Sequence, residues 1–175
     1  MFASGINPIL LFGRYFSEAK KKERSDATAF ALATTSSTLR PSVRMVLLKD
    51  FNEQGFVFYT NLLSKKGREL RHNSYASMCF YWDSLGIQIR IVGSVKQVSD
   101  QEADNYFATR DRKTKLGAWA SKQSYPLKDM SGLIKKFNSY FKKFPKKVPR
   151  PLYWSGFRIV PKEIEFRSEE HTSEL

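Results

Sequence analysis

Histidine and cysteine are nearly missing from this chain. Two histidines, His72 and His171, and one cysteine, Cys79, stand among 175 residues. Neither histidine has a partner at metal-ligand spacing, and a single cysteine makes neither an internal disulfide nor a zinc cluster. His72, on a short charged stretch, reads as a surface residue. Cys79 lies in an apolar run and reads as a small buried hydrophobe. No Gly-x-Ser-x-Gly turn and no Walker loop is present. Long apolar runs are absent as well. Residues 9–12 and 46–48 are far too short to cross a bilayer, and residues 1–12 have no basic stretch of the kind that opens a secretory leader. A reducing cytoplasm is the expected compartment. Acidic residues are also scarce, 17 against 30 lysines and arginines, leaving a net charge of +13. That excess predicts attraction to anions and leaves nucleic acid, acidic lipid and phosphorylated metabolites all open. With so little side-chain chemistry, an enzyme built on this sequence needs a bound cofactor, for which the protein supplies position and electrostatics.

What is present suits one domain with a large core over residues 1–175. Fourteen phenylalanines and eight tyrosines can fill it. Asn7-Pro8 starts an amphipathic helix over 8–22. Residues 28–35, 42–49 and 56–60 read as three strands forming a meander, with a turn at 50–55. Ser64 caps a short helix through 71. Residues 77–82 and 87–98 are further strands, with Gly93 a bulge. Ser99-Asp100-Gln101-Glu102 is a capping box for a helix to about 110. Residues 113–121 form another short helix. Asp129 caps a helix whose apolar stripe is Leu133, Phe137, Tyr140 and Phe144. Residues 154–160 and 163–166 close the sheet as two strands around Pro161. Several short strands with turn signals point to an antiparallel barrel with helices outside it.

Several cations are placed for anion binding. Arg44 and Lys49 flank the apolar run 45–48, and a cation in an apolar strand is costly unless it meets an anion or reaches solvent from a strand end. Lys65 and Lys66 follow Ser64, where they oppose the helix dipole but would reinforce it around a bound anion; a solvated basic turn is the plainer reading. Tyr106 and Arg110, four apart, share a helix face and suit a phosphate. The lysines of 135–147 interleave with Phe137, Tyr140, Phe141 and Phe144. They read as the solvated face of an amphipathic helix with its aromatics in the core.

The runs Arg44-Met45-Val46-Leu47-Leu48-Lys49, Phe58-Tyr59-Thr60-Asn61, Gly117-Ala118-Trp119-Ala120-Ser121-Lys122-Gln123-Ser124 and Trp154-Ser155-Gly156-Phe157-Arg158 resemble, in order and spacing, the pyridoxine/pyridoxamine 5′-phosphate oxidase family. The likeness extends over residues 26–166. It implies a mainly β fold with flanking helices, the antiparallel FMN-binding split β-barrel, in a homodimer with FMN at the subunit interface. It implies oxidation of pyridoxamine or pyridoxine 5′-phosphate to pyridoxal 5′-phosphate by hydride transfer to FMN, with O2 as acceptor and hydrogen peroxide as product. Nucleic-acid and membrane partners are not expected. By the same resemblance, FMN is held by Arg44, Met45, Val46, Leu47, Leu48, Lys49, Tyr59, Thr60, Lys65, Lys66, Gln88, Gln123 and Ser124. Arg44, Lys66 and Ser124 suit its phosphate and Gln88 the polar edge of the ring. The substrate phosphate falls to Lys49, Tyr106, Arg110 and Thr114, the last standing where the family has serine. Asp26 matches an acidic position near the substrate, with a possible catalytic role.

The chain departs from the family at its ends. The family has a basic, tyrosine-containing segment before the first helix, and after Ile-Glu-Phe it continues with tryptophan and an Arg-Leu-His-x-Arg motif. Here Ile164-Glu165-Phe166 is followed by Arg167 and an unrelated stretch in which His171 is not equated with the motif histidine. Two other classes therefore stay in view. One is a non-catalytic protein that binds flavin or pyridoxal phosphate. The other is a basic nucleic-acid module around 135–150, for which no motif is present.

Overall fold

The computed structural model describes residues 6–121, 123–124 and 129–168. Helix α1 (Pro8–Lys22) begins as local chemistry dictates: the Asn7 side chain accepts from Ile9 N (2.8 Å) and Leu10 N (3.4 Å), and Pro8 needs no such partner. Strands β1 (Ala29–Thr35), β2 (Pro41–Leu47), β3 (Asp50–Asn52) and β4 (Gly55–Asn61) follow, then helix α2 (Lys65–His72) and strands β5 (Tyr75–Trp82) and β6 (Ile87–Gln97). Helices α3 (Asp100–Thr109), α4 (Arg112–Ala120) and α5 (Met130–Lys143) precede the long strand β7 (Trp154–Ser168).

The strands form one antiparallel sheet in the order β2-β1-β5-β6-β7-β4-β3. Only Leu48 and Lys49 separate its two edge strands along the chain. Leu48 N donates to Thr28 O (2.8 Å) and Lys49 N to Val57 O (2.9 Å). One bent stretch thus pairs with β1 through its first half and with β4 through its second, curling the sheet around a core. Alternation along β1, β5 and β6 buries every second residue, so Phe30, Leu32, Met78, Phe80, Trp82, Ile89 and Ile91 point inward. Phe12 of α1 packs there at 4.9 Å from Phe56 and 5.2 Å from Phe80, ring centre to ring centre. Burying each such ring contributes about 1.5–3 kcal/mol.

Several sequence expectations need correction. The first three strands are not a meander: β4 pairs with β3 and β7, not with β2. The turn expected at 50–55 contains strand β3. The two strands expected around Pro161 are one continuous β7. Proline is tolerated there because the β6–β7 register shifts at Val92/Gly93: Gly93 faces Pro161, Val92 faces Glu163, and Lys162 is the extra residue. Gly93 is required at that shift, since a Cβ would lie 2.1 Å from Val160 O. The capping box at Ser99 is half formed. Its Oγ accepts from Glu102 N (3.1 Å), while the Glu102 carboxylate turns to Arg158 (2.8 Å). The α5 aromatics do not enter the core. No α5 residue is buried; Tyr140 and Phe144 lie against Trp119 of α4, and Phe141 is exposed. Cys79 is half-buried, and burial pushes its thiol pKa up. His72 is exposed, and His171 lies outside the described residues.

Candidate active site

A cavity of about 670 Å³ opens where the β2–β3 bend, β4, α2, the α3–α4 junction and the start of β7 meet. That volume is in the usual range for cofactor and substrate sites. Met45, Val46 and Leu47 supply apolar wall, and no described group of three His, Cys, Asp or Glu residues is arranged to hold a metal ion.

One cluster of the lining is cationic. Lys66 is buried in the first turn of α2, capped by Ser64, whose Oγ accepts from Gly67 N (3.3 Å). Lys66 Nζ donates to Thr60 Oγ1 (3.1 Å), and Thr60 Oγ1 donates to Gln123 Oε1 (3.2 Å). Gln123 Oε1 also accepts from Asn61 N (3.4 Å). The ammonium has no carboxylate partner among the described residues. Burial, and then the neighbouring Arg44, push its pKa down to about 8.

Arg44 is differently placed. Its Nη1 donates to Leu32 O (3.1 Å) and Thr34 Oγ1; its Nη2 donates to Ser42 Oγ and to Glu69 Oε2 (3.2 Å). Glu69 is buried, and its Oε2 also accepts from Ser42 Oγ (2.7 Å) and Thr34 Oγ1. Burial alone would raise the Glu69 pKa, but the hydroxyls of Thr34 and Ser42 and then Arg44 outweigh it and hold the pKa low.

The other cluster is aromatic. Tyr106 stacks on Tyr59 at 4.0 Å, and Tyr59 lies parallel to Trp154 at 5.3 Å. Gly156 makes the room: a Cβ there would lie 2.7 Å from the Tyr59 ring. The Arg110 guanidinium sits 4.7 Å over Trp154 and 5.5 Å over Phe107. Its Nη1 is buried and has no hydrogen-bond partner among the described residues. Burial pushes the Tyr59 phenol up to about 12 and raises Tyr106, so both remain protonated donors at neutral pH.

The sequence and the curled sheet match known proteins. The family model described as pyridoxamine 5′-phosphate oxidase matches residues 16–143. The chain belongs to this family. The pyridoxine/pyridoxamine 5′-phosphate oxidase of Pelagibacter ubique is 51% identical over 167 residues, covering 94% of this chain and 80% of that protein. The Brucella canis enzyme of the same name is 51% identical over 166 residues, covering 94% and 82%. Among solved structures, PhzG from Burkholderia lata, in complex with tetrahydrophenazine-1-carboxylic acid, has a TM-score of 0.87 at 31% identity, covering 93% of this chain and 80% of that one. A pyridoxamine 5′-phosphate oxidase-related, FMN binding protein from Nostoc punctiforme shares the fold, with a TM-score of 0.74 at 14% identity over 95% of this chain and 88% of that one. The fold is the family's split β-barrel.

Of the residues singled out by family resemblance, Met45, Val46, Leu47, Lys49, Tyr59, Thr60, Lys66, Tyr106, Arg110, Thr114 and Gln123 line the cavity. Arg44, Leu48, Lys65, Gln88, Ser124 and Asp26 are not among its lining residues. Leu48 is in the core. Lys65 is exposed, its Nζ 3.9 Å from Glu69 Oε1. Gln88 lies in the middle of the sheet on β6, opposite Tyr81 and Arg167. Ser124 has a left-handed backbone, φ 68°. Asp26 accepts from Thr28 N (2.9 Å) and Thr28 Oγ1 (2.7 Å), bonds that lower its pKa. The Thr114 hydroxyl donates to Asp111, whose side chain caps α4. Sequence reasoning missed Glu69, Asp111 and the role of Trp154 as cavity wall. For Glu69 one signal existed: it falls one turn after Lys65, on the face of α2 that also carries Lys66 and Leu70.

Proposed function

We propose that this chain oxidises pyridoxamine or pyridoxine 5′-phosphate to pyridoxal 5′-phosphate, using FMN and O2 and releasing hydrogen peroxide. The observation that carries this reading is one cavity lined by two cations that have no carboxylate partner among the described residues: the buried Lys66 ammonium and the Arg110 guanidinium. One cofactor phosphate and one substrate phosphate match that pair. The residues present fit FMN. Lys66, with Arg44 near it and Gln123 joined to it through Thr60, would hold the phosphate, with Lys65 and Ser124 as further candidates from the family resemblance; Tyr59, Thr60 and the 45–49 backbone would border the flavin. FMN, when bound, supplies the two-electron acceptor for the carbon being oxidised.

The chain's own residues bind and orient. Lys49, Tyr106, Arg110 and Thr114 would grip the substrate phosphate. These contacts are the same before and during reaction, so they lower KM more than they raise kcat. Tyr106, protonated, donates to a phosphate oxygen, and the stacked rings of Tyr59, Tyr106 and Trp154 keep water from that wall. Asp26 holds its carboxylate ionised against Thr28 and is a poor proton donor at neutral pH. Gln88 is not part of its own chain's cavity lining, so a role on FMN would need a second copy, consistent with a homodimer. Val43, Met45 and Val92 are exposed apolar residues of the sheet available for such a contact.

The test is direct. FMN titrated into purified protein is expected to lose fluorescence. Pyridoxine 5′-phosphate in air should then give pyridoxal 5′-phosphate and an equal amount of peroxide. Binding of FMN and pyridoxal 5′-phosphate with no peroxide from either substrate would replace this reading with that of a non-catalytic binding protein.

A further inference from the structure

Arg110 has an unusual kind of support. A buried guanidinium is ordinarily held by a carboxylate or by backbone carbonyls, which occupy its N–H groups. Here it rests on ring faces, 4.7 Å over Trp154 and 5.5 Å over Phe107, and its buried Nη1 donates to nothing among the described residues. A ring face attracts a cation electrostatically while taking none of its in-plane donors. Burial lowers the Arg110 pKa; a guanidinium in a protein is not deprotonated, so the group stays charged and under-bonded.

Trp154 is itself well fixed. It is 7% exposed and opens strand β7 opposite Asn61. Its backbone N donates to Pro151 O (2.9 Å), and its carbonyl accepts from Arg150 Nη1 (2.8 Å). Arg150 is anchored in turn by Asp100 and Asp104 of α3, the helix that leads into Arg110. Phe107 meets the indole edge-on at 4.9 Å, and the Tyr59 ring lies parallel to it. The plate under Arg110 is therefore tied both to the sheet and to the helix that carries the arginine.

We propose that Trp154 is a positioning residue for phosphate recognition: its indole face fixes the Arg110 guanidinium at the cavity while leaving the N–H donors free for the substrate's phosphate. The proposal rests on the oxidase reading for the identity of the ligand, but its mechanics concern only this chain and an oxyanion.

The experiment compares Trp154→Phe, which keeps a smaller ring face, with Trp154→Leu, which keeps apolar bulk without one. Each is also combined with Arg110→Ala. Pyridoxal 5′-phosphate binding is read from its own absorbance in protein without FMN, with inorganic phosphate as competitor. FMN affinity, melting temperature, KM and kcat are measured alongside. Trp154→Leu is expected to weaken pyridoxal 5′-phosphate and phosphate binding about threefold to thirtyfold, the range of a cation–ring contact. KM should rise with it, kcat should change far less, and FMN affinity should stay within about twofold. Trp154→Phe should recover part of the loss, and adding Arg110→Ala to Trp154→Leu should cost less than Arg110→Ala costs alone. Unchanged phosphate binding in Trp154→Leu overturns the proposal. So does strict additivity with Arg110→Ala, or parallel losses of FMN and pyridoxal 5′-phosphate affinity, which mark a merely structural residue. If Trp154→Leu does not fold, an unchanged affinity in Trp154→Phe together with additivity decides against it. Absence of oxidase turnover in the unmodified protein would defeat the functional reading while leaving the binding comparison intact.

Discussion

Arg44 and Arg110 are both half-buried guanidinium groups in one small protein, and they are held in opposite ways. Arg44 is met by Leu32, Thr34, Ser42 and Glu69, and four of its N–H bonds are directed into the protein itself. Arg110 lies on two aromatic faces and keeps donors free. The first arrangement ties β1, β2 and α2 together; the second leaves a charge whose Nη1 has no hydrogen-bond partner among the described residues. An arginine's function is thus set by what occupies its N–H groups more than by its burial.

The largest expected effect separates the two directly. Arg44→Ala leaves the buried Glu69 carboxylate with only the exposed Lys65, 3.9 Å away, as a cation, and should destabilise the fold by about 3–5 kcal/mol. In a chain of this length that lowers the melting temperature by on the order of 10 °C. Arg110→Ala removes two ring contacts but also a half-buried charge with no carboxylate partner among the described residues, so stability should move by less than about 1 kcal/mol. Its effect falls on ligand affinity: pyridoxal 5′-phosphate should bind about ten- to a hundredfold more weakly, as for loss of a charge-assisted bond. Calorimetry and a binding titration on both variants suffice, and equal destabilisation by the two would break the comparison.

Lys66 sharpens it, being buried like Arg44 yet without an anion like Arg110. Lys66→Met should lower FMN affinity by about tenfold or more. Its stability effect has a defined sign. The folded pKa, about 8, lies below the ordinary 10.5, so at neutral pH the fold carries a buried charge that the unfolded chain carries in water. That penalty fades as pH rises from about 8 toward 10.5 and beyond. Lys66→Met should therefore raise the melting temperature of the FMN-free protein at pH 7 and leave it nearly unchanged at pH 10.5. Unmodified protein should hold FMN with constant affinity below pH 8 and progressively lose it above, as the lysine must be reprotonated on binding. A flat profile from pH 7 to 9.5 would mean that another cation meets the phosphate.

The smallest effect concerns cations of a third kind. Lys142 and Lys143 are exposed at the end of α5. Reversing both charges should shift stability by less than about 0.5 kcal/mol and leave FMN affinity within twofold. A large loss in a fluorescence titration would show that the net positive field, rather than placed donors, governs binding.

How much of this was legible in the sequence depended on distance along the chain. Asn7, Ser64, Ser99 and Asp129 announce their helices because a cap acts within three residues. The Gly93 bulge was legible for a similar reason, glycine inside an alternating strand. Strand order was not: the partners of β4 include residues some hundred positions away, and nothing local distinguishes that pairing from a meander. Arg44 was recognised as a cation needing an anion, but the anion is Glu69, on a helix two strands later. Lys66, Tyr106 and Arg110 stood out by local placement, at the start of α2 and four apart on one helix face, before the family motifs gave them roles. Trp154 appeared in such a motif, yet its relation to Arg110 exists only once β7 lies against α3. The α5 aromatics misled because a helical stripe records which residues share a face, not whether the barrel reaches it.

β7 follows every other strand in sequence and yet lies inside the sheet, between β6 and β4. A ribosome making this chain delivers Tyr59 and Thr60 long before the residues they pair with, Gly156 and Ser155. At about 5–20 residues per second, β4 waits roughly 5–20 s with only the three-residue β3 beside it. During that interval its apolar face and unpaired backbone are open to neighbouring nascent chains. Cofactor cannot shorten the wait, because the cavity lacks Trp154 until β7 emerges. Production yield should then respond to translation speed and to chaperones that shelter unpaired strands more than to the supply of FMN.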